Sequence, residues 1–596
     1  MHTPEQNQTF RQSKKREPSP WDFEDLPNVG LTLTLTAQHT PNRVAVAAPR
    51  SGQPKRCSKD RPLEYDRITF AQLDAASNQV AFGVQEMGVT PGTRLALMVP
   101  PGIEFVKMVF GLFKAGVTVI LIDPGMGRKN MIGCLAEAKP DGIVGIKRAH
   151  LARWLFRSRF PKCKQNVVVG RWPGCVPSGS FDQLDPAQFE PAKNATQEEE
   201  AAIIFTTGST GPPKGVLYRH RNFIQQAAQI RDYFQIEPGS TDVSGFPLFA
   251  LFNTAMGTTT VFPQMDATRP ADVYPPNIID AVNQFDADQS FGSPALWNTV
   301  STWCESNQVK LPGIKRILSA GAPVPPDVLR RVRSIIAEEG DAFTPYGATE
   351  ALPVACNSAS VVLNETAEKT RTGFGTCVGH KFERIDWRVI EISDEPLADV
   401  SATTELPAGT IGELMVRGPA VTDRYVTRTS ANADHKVTDG DTFWHRMGDV
   451  GYLDDQNRFW FCGRKNHRVT TTNGPMYTIP CEGIINSHPK VYRSALVGVA
   501  STSGTGASED VSSQIGTGAR EPKLPVMVIE PYRKDWPGTD AAREQFLSEL
   551  EQLASAYNAT QPIEKFLFRE SLPVDIRHNS KIFREQLGPW AEKLLP

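Results

Sequence analysis

Between about residue 30 and residue 410, apolar runs of four to six residues alternate with longer stretches of helical period. Arg94–Val99 reads as a buried strand, Glu104–Ala115 as a helix, and Val117–Ile122 as the next strand. The same strand signal recurs at Gly142–Ile146, Ala201–Phe205 and Arg316–Ser319. Strand–helix–strand alternation predicts mainly parallel sheets covered by helices. The last two of these strands run into loops rich in Gly, and in open α/β sheets ligands sit at such places. Past Thr410 the texture changes. Gly412–Gly418, Gly451–Asp455 and Arg458–Gly463 read as short strands with tight turns, which predicts a small β-rich subdomain. A further α/β pattern follows Gly463, with strands at Ala495–Val499 and Pro525–Ile529. The fold class expected is therefore α/β: a large N-terminal domain of α/β subdomains with a β-rich subdomain (21–463), then a small α+β C-terminal domain (469–596). The polar, basic run Arg464–Arg468 reads as the hinge between them, and no internal repeat is visible.

Composition narrows this picture. A chain of 596 residues is too long for one core, and 40% hydrophobic with 22% charged residues is ordinary for a globular protein. A net charge of -2 argues against a nucleic-acid binder driven by bulk electrostatics. Nine cysteines without a Cys-x-x-Cys pair fit free thiols in a reducing compartment, and a cytoplasmic location is expected. Residues 1–20 are polar and read as a disordered arm, and Ser501–Glu521, rich in Ser, Gly and Thr, as a flexible insertion. The longest apolar region, Phe105–Ile122, is interrupted by Lys107 and Lys114, so it parses as helix plus strand and not as a membrane span. The basic amphipathic stretch Ala149–Phe160 reads as a surface helix packing its apolar face on the core. The competing reading is a lip that guides long-chain lipid from a membrane or a partner enzyme.

Candidate chemistry starts at the strand ending in Phe205. Thr, Gly, Ser and Pro dominate the next ten positions, Thr206-Thr207-Gly208-Ser209-Thr210-Gly211-Pro212-Pro213-Lys214-Gly215. Glycines let backbone approach an anion, hydroxyls and N–H groups donate, and Lys214 adds a point charge, which is the chemistry of gripping polyphosphate. A Walker A loop is excluded, because Lys214 is followed by Gly215 and not by Ser or Thr. Downstream, Tyr346-Gly347-Ala348-Thr349-Glu350 sets a hydroxyl beside a carboxylate, a pair suited to Mg²⁺ on phosphate. Arg446-Met447-Gly448-Asp449 offers an acid for ribose hydroxyls, Gly463-Arg464 a guanidinium, and Asn579-Ser580-Lys581-Ile582 a late lysine.

In this order and at these separations the segments resemble the adenylate-forming superfamily of acyl-CoA synthetases, luciferases and peptide-synthetase adenylation domains, from about residue 30 to the C-terminus. The resemblance implies ATP and Mg²⁺ as cofactors, with Thr206–Lys214 as the phosphate loop. Ser319-Ala320-Gly321-Ala322-Pro323 would line the adenine pocket and Tyr346 would stack on the base. Thr349 and Glu350 would serve the α-phosphate and the metal, Asp449 the ribose, and Lys581 would bridge carboxylate and α-phosphate. It also implies a small domain that rotates about the hinge between half-reactions.

Departures from the superfamily's wording are informative. Ala250 stands where acyl-CoA synthetases usually carry a histidine, Asn466 replaces the usual hinge acid, and the following loop is Val469-Thr470-Thr471-Thr472-Asn473-Gly474. The wording of Asp123–Asn130, Phe246–Phe252, Thr344–Pro353, Trp444–Asp449 and Phe461–Lys465 looks like a narrower group, the olefin-biosynthesis β-lactone synthetases. That likeness implies a long-chain 2-alkyl-3-hydroxy fatty acid as substrate and its own hydroxyl as acceptor. Other enzymes of the same lipid pathway are implied as partners, with no nucleic acid and no transmembrane segment, and with weak membrane association compatible. His445 and His467 are candidate bases, although a histidine beside Trp444 is more often a packed residue. The alternatives are a long-chain acyl-CoA or acyl-AMP ligase and a nucleotide-binding scaffold without chemistry.

Overall fold

A computed structural model describes residues 21–58, 60–206, 211–500, 521–575 and 581–595. The N-terminal arm, most of the Ser/Gly-rich insertion and the loop positions Thr207, Gly208, Ser209 and Thr210 lie outside the described residues, as do Asn579 and Ser580.

Two large sheets organise the chain. One has seven strands in the order 176–177, 165–169, 142–146, 94–98, 118–121, 200–205, 215–219, all parallel except the last pair. The strands expected at Gly142–Ile146 and Arg316–Ser319 form over those same residues. The other sheet has fourteen strands. Its parallel half runs 44–49, 259–261, 241–244, 289–292, 316–319, 341–348. The antiparallel strands of the β-rich part do not make a sheet of their own. They continue this one, because Ala355 and Cys356 pair with Lys381 and His380, and the 376–381 strand then pairs with 459–464. A separate three-stranded sheet (491–499, 524–531, 565–568) lies near the C-terminus.

The helix Ile103–Lys114 shows why an interrupted apolar run need not be a membrane span. Its two lysines are buried and paired: Lys107 Nζ is 2.7 Å from Glu104 and 3.2 Å from Asp182. Lys114 Nζ meets Asp74 at 2.5 Å and donates to Ser77 Oγ and Asn78 Oδ1, both at 2.7 Å. A buried ammonium is tolerable only with such partners. Gly111 lets this helix press on Phe70–Glu86, since a Cβ there would lie 2.5 Å from Val80 Cβ. Among the described residues no helix is long and apolar enough to cross a membrane.

The helix in the Ala149–Phe160 stretch corrects the sequence reading. It spans Lys147–Leu155, and Ala149 and His150 are its buried residues. Leu151, Trp154, Leu155 and Phe156 stand 43%, 59%, 60% and 40% exposed, so these four large apolar side chains do not pack on the core, while Ala149 and Phe160 do. Helical period alone fixes that a face is apolar, not what covers it.

Candidate functional site

The carboxyl ends of parallel strands from both sheets open onto one cavity of about 2100 Å³. Leu97–Val99, Leu121–Asp123 and Ile204–Thr206 bring one sheet to it. Ser244, Phe291, Leu318 and Ala320 bring the other. Ligands gather where strand ends of open α/β sheets face a crevice.

The segment expected from the sequence to grip phosphate joins the two strands of a hairpin and not a strand and a helix. Strands 200–205 and 215–219 are antiparallel, and its neck is closed by Thr206 N donating to Lys214 O and Lys214 N to Thr206 Oγ1, each at 3.0 Å. The far strand is tied to the 424–427 segment: Gly215 N donates to Thr427 Oγ1 at 2.7 Å and Leu217 N to Arg424 O at 3.0 Å. That segment carries Tyr425, whose hydroxyl donates to Glu350 Oε1 at 2.6 Å and whose ring lies 4.6 Å from Lys214 Nζ. Glu350 and Thr349 sit at the turn between strands 341–348 and 351–358. Thr422 holds the Glu350 carbonyl through N and Oγ1, and Tyr218 OH donates to Thr349 O at 2.5 Å.

Lys214 Nζ also lies 3.1 Å from His435 Nε2, a residue with no place in the sequence reading. His435 Nδ1 is 3.1 Å from the Arg446 carbonyl, which can only accept, so Nδ1 carries the proton and Nε2 offers a lone pair to Lys214. Desolvation, helped by the Lys214 charge, pushes the His435 pKa down to about 4, so the ring is neutral at physiological pH. Desolvation likewise lowers the Lys214 pKa, against an upward pull from Glu350 and Asp434. Beside them Lys436 is pushed by burial down to about 7, and its ammonium donates to Thr422 O.

Asp449 is buried and already engaged. Tyr346 OH donates to its Oδ2, and Arg464 Nη1 lies 2.8 Å from Oδ1. Burial raises the Asp449 pKa despite Arg464, and the Asp449 charge raises that of Arg464. Arg464 ends the strand Phe459–Arg464, and Gly463 before it is required on two counts. Its φ is +137°, and a Cβ would lie 2.5 Å from Thr478 Oγ1. Behind this wall Arg446 and Lys465 share the buried Glu413.

The cavity thus brings together Thr206, Lys214, Gly321, Tyr346, Gly347, Thr349, Glu350, Arg464 and Lys581 from the expected set, with Asp449 held behind Tyr346 and Arg464. Lys581 is fixed by Asp575, which accepts from its N–H at 3.0 Å and donates to its carbonyl at 3.1 Å. Gly321 is on the wall, whereas Ala322 and Pro323 are not among its lining residues. Of the candidate bases, His445 lines the wall and His467 does not. His445 is buried with Nδ1 unpartnered. Burial and the neighbouring Lys436 hold its pKa well below the ordinary histidine value. One section of the wall is apolar, with Phe249 stacked 4.3 Å from Phe291 and Phe246 and Phe252 beside them. Ala250, in the same helix, is fully buried.

Sets of three or more His, Cys, Asp or Glu able to hold a metal are absent among the described residues. Mg²⁺ keeps most of its shell as water and phosphate oxygen, so one carboxylate such as Glu350 beside a phosphate grip suits it.

Comparison with known proteins gives a consistent picture. The AMP-binding enzyme family matches residues 33–426. The chain is 40% identical to an olefin beta-lactone synthetase of Xanthomonas campestris pv. campestris over 574 residues, covering 95% of this chain and 97% of the relative. It is also 40% identical to the protein of that name from Stenotrophomonas maltophilia, covering 95% and 98%. Among solved structures, ATP-bound MatB from Rhodopseudomonas palustris superposes with a TM-score of 0.72 at 17% identity, covering 95% of this chain and 99% of that one. The o-succinylbenzoate CoA synthetase MenE from Bacillus subtilis, with its acyl-adenylate bound, gives 0.68 at 20% identity, covering 93% and 97%.

Proposed function

This chain belongs to the AMP-binding enzyme family, and within it to the olefin β-lactone synthetases; from that premise we propose that it activates a long-chain 2-alkyl-3-hydroxy fatty acid with ATP and closes it to a β-lactone. The observation that carries the reading is the convergence of Lys214, Glu350, Arg464 and Lys581 on one cavity that also holds an apolar section built by Phe246, Phe249, Phe252 and Phe291.

In the first step a carboxylate oxygen attacks the α-phosphorus and pyrophosphate departs, leaving an acyl-adenylate. The reactants are both anions, so positioned cations lower the barrier, each worth about 10²–10³-fold. On this reading Lys214 holds the outer phosphates together with the 206–210 loop, and Lys581 neutralises the carboxylate and α-phosphate. Asp449 and Arg464 serve the ribose, and Tyr346 and Gly321 the base. Glu350, with Thr349 alongside, would hold Mg²⁺, which would supply charge neutralisation on the phosphates.

In the second step the substrate's 3-hydroxyl oxygen bonds to the acyl carbon, the bond from that carbon to the phosphate oxygen breaks with AMP taking the electron pair, and the hydroxyl proton passes to water. The nucleophile is in the same molecule, and effective molarities of such groups are high enough to dispense with a second substrate. Three features favour this over thioester formation: Ala250 is sealed in the core, Asn466 lines the cavity where an acid is usual, and the loop holding Thr470–Thr472 stands where a Gly-Gly pair and a lysine are usual. The proposal extends to a large part (21–463) and a small one (469–596) that turns about 464–468. It also places the enzyme in the cytoplasm, in agreement with nine unpaired cysteines. An acid of this kind comes from a lipid surface or from neighbouring enzymes of the same pathway.

The test is AMP release and product mass from a 3-hydroxy acid and from the matched acid lacking the hydroxyl, each with and without CoA. Lactone formation without CoA is expected from the first, and slow, hydrolysis-limited turnover from the second. CoA-dependent thioester from the plain acid would make the chain an acyl-CoA ligase.

A further inference from the structure

Of the large hydrophobic side chains standing exposed among the described residues, four fall within six positions: Leu151, Trp154, Leu155 and Phe156. Leu151 and Leu155 are one helical turn apart on the helix Lys147–Leu155, and Trp154 shares their side of it. Contiguous apolar surface of this kind marks an interaction site more often than an accident of sequence.

The charge around it is one-sided. The whole chain balances 64 basic against 66 acidic residues, yet residues 142–181 hold eight Lys and Arg and no Asp or Glu. Lys147, Arg148, Arg157 and Arg159 are exposed on or just after the helix. Arg153, half-buried, is bound within the fold, its Nη2 lying 3.7 Å from Cys175 Sγ. The patch is continuous with the cavity, since Arg148, Leu151, Leu155 and Phe156 form part of the same wall as Lys214 and Glu350.

An apolar ridge fringed with cations, at the mouth of a cavity lined with Phe side chains, has the composition of a helix that lies in a lipid–water interface. Trp suits that depth, and each Lys or Arg adds attraction to anionic headgroups. We infer that the 147–159 segment docks the enzyme on an anionic lipid surface and delivers the long-chain acid from that surface directly into the cavity. The docking rests on the patch alone, and the delivery rests on the function proposed above.

The experiment uses the full-length protein with sedimenting vesicles of phosphatidylglycerol and phosphatidylcholine, or of phosphatidylcholine alone. Binding to the anionic vesicles, weakened by salt, is expected. Arg157→Gln combined with Arg159→Gln should reduce it about tenfold or more, and Trp154→Ser should weaken it separately. None of the three residues lines the cavity, so turnover of a soluble short-chain 3-hydroxy acid should be unchanged, which also verifies folding. Turnover of a long-chain acid presented in anionic vesicles should fall with binding. Variants that bind like the wild type overturn the assignment. A wild-type protein that ignores both vesicle types overturns it too, and gives the patch to an acidic protein partner. Equal binding to both vesicle types removes the role of charge. Vesicle binding with no turnover of any 3-hydroxy acid would sink the proposed function and leave the lipid surface standing.

Discussion

Replacing His435 with Ala tests whether the cavity's key lysine is positioned or merely present. Lys214 Nζ has an imidazole nitrogen at 3.1 Å and an aromatic face at 4.6 Å as close neighbours. A hydrogen bond to a charged group is worth about 1.5–3 kcal/mol, and 1.4 kcal/mol is a factor of about ten. If Lys214 acts on phosphate from the position His435 gives it, His435→Ala should lower kcat/KM for ATP by about 10- to 100-fold. His435→Gln offers a carbonyl oxygen to the same ammonium and should recover most of the loss. The assay is steady-state pyrophosphate release with ATP varied at saturating acid, supported by a melting curve for each variant. A merely structural residue would lower the melting temperature of both variants and treat them alike in kinetics. Unchanged kcat/KM in the Ala variant, or equal losses in Ala and Gln, would refute the positioning argument.

Three further outcomes are expected. Lys581→Ala should cut adenylate formation by about 10²-fold or more while ATP binding stays measurable, and near-normal pyrophosphate release would remove Lys581 from the chemistry. Glu350→Gln keeps size and removes charge, so activity should fall and the Mg²⁺ concentration for half-maximal rate should rise; an unchanged Mg²⁺ titration would mean the metal is held elsewhere. His220 is buried, accepts from Val29 N at 3.3 Å, and is pushed by desolvation down to about 3, below its ordinary 6.5. Between those values the unfolded chain binds the extra proton, so stability is complete above about pH 6.5 and declines as pH falls toward 3. Urea midpoints measured across that range should drop, and the slope should be shallower in His220→Gln.

The parts of this protein legible in its sequence were those with local signatures. Buried parallel strands announce themselves as short apolar runs, which is why 142–146 and 316–319 were placed to the residue. Lys214 and Glu350 stand out because glycine and hydroxyl residues surround them, and Arg464 because it follows Gly463 at the start of a basic run. His435 had no such signal. It closes a five-residue helix, Ala431–His435, just before strand 436–439 pairs back on 442–445, and its contact with Lys214 spans 221 positions of chain. The joining of the β-rich strands to the main sheet rests on a two-residue ladder, Ala355 and Cys356 against Lys381 and His380, too brief to leave a pattern. The exposed ridge at 151–156 failed for a different reason. Amphipathic spacing is identical whether the apolar side meets a core or a membrane.

The engagement of Asp449 by Tyr346 and Arg464 bears on how the catalytic cycle ends. If Asp449 takes the nucleotide's sugar, as proposed, an arriving hydroxyl trades one set of partners for another, so the net gain is a difference between two similar sums. Tight capture is thereby forgone. For an enzyme that must expel AMP once per turnover, an acid already held by a phenol hydroxyl and an ion pair would then act as a spring toward the product-free form, since Arg464 and Tyr346 stand ready to reclaim it. Loosening that grip, as in Tyr346→Phe, would favour retention of the spent nucleotide and move the slow step from bond-making to departure.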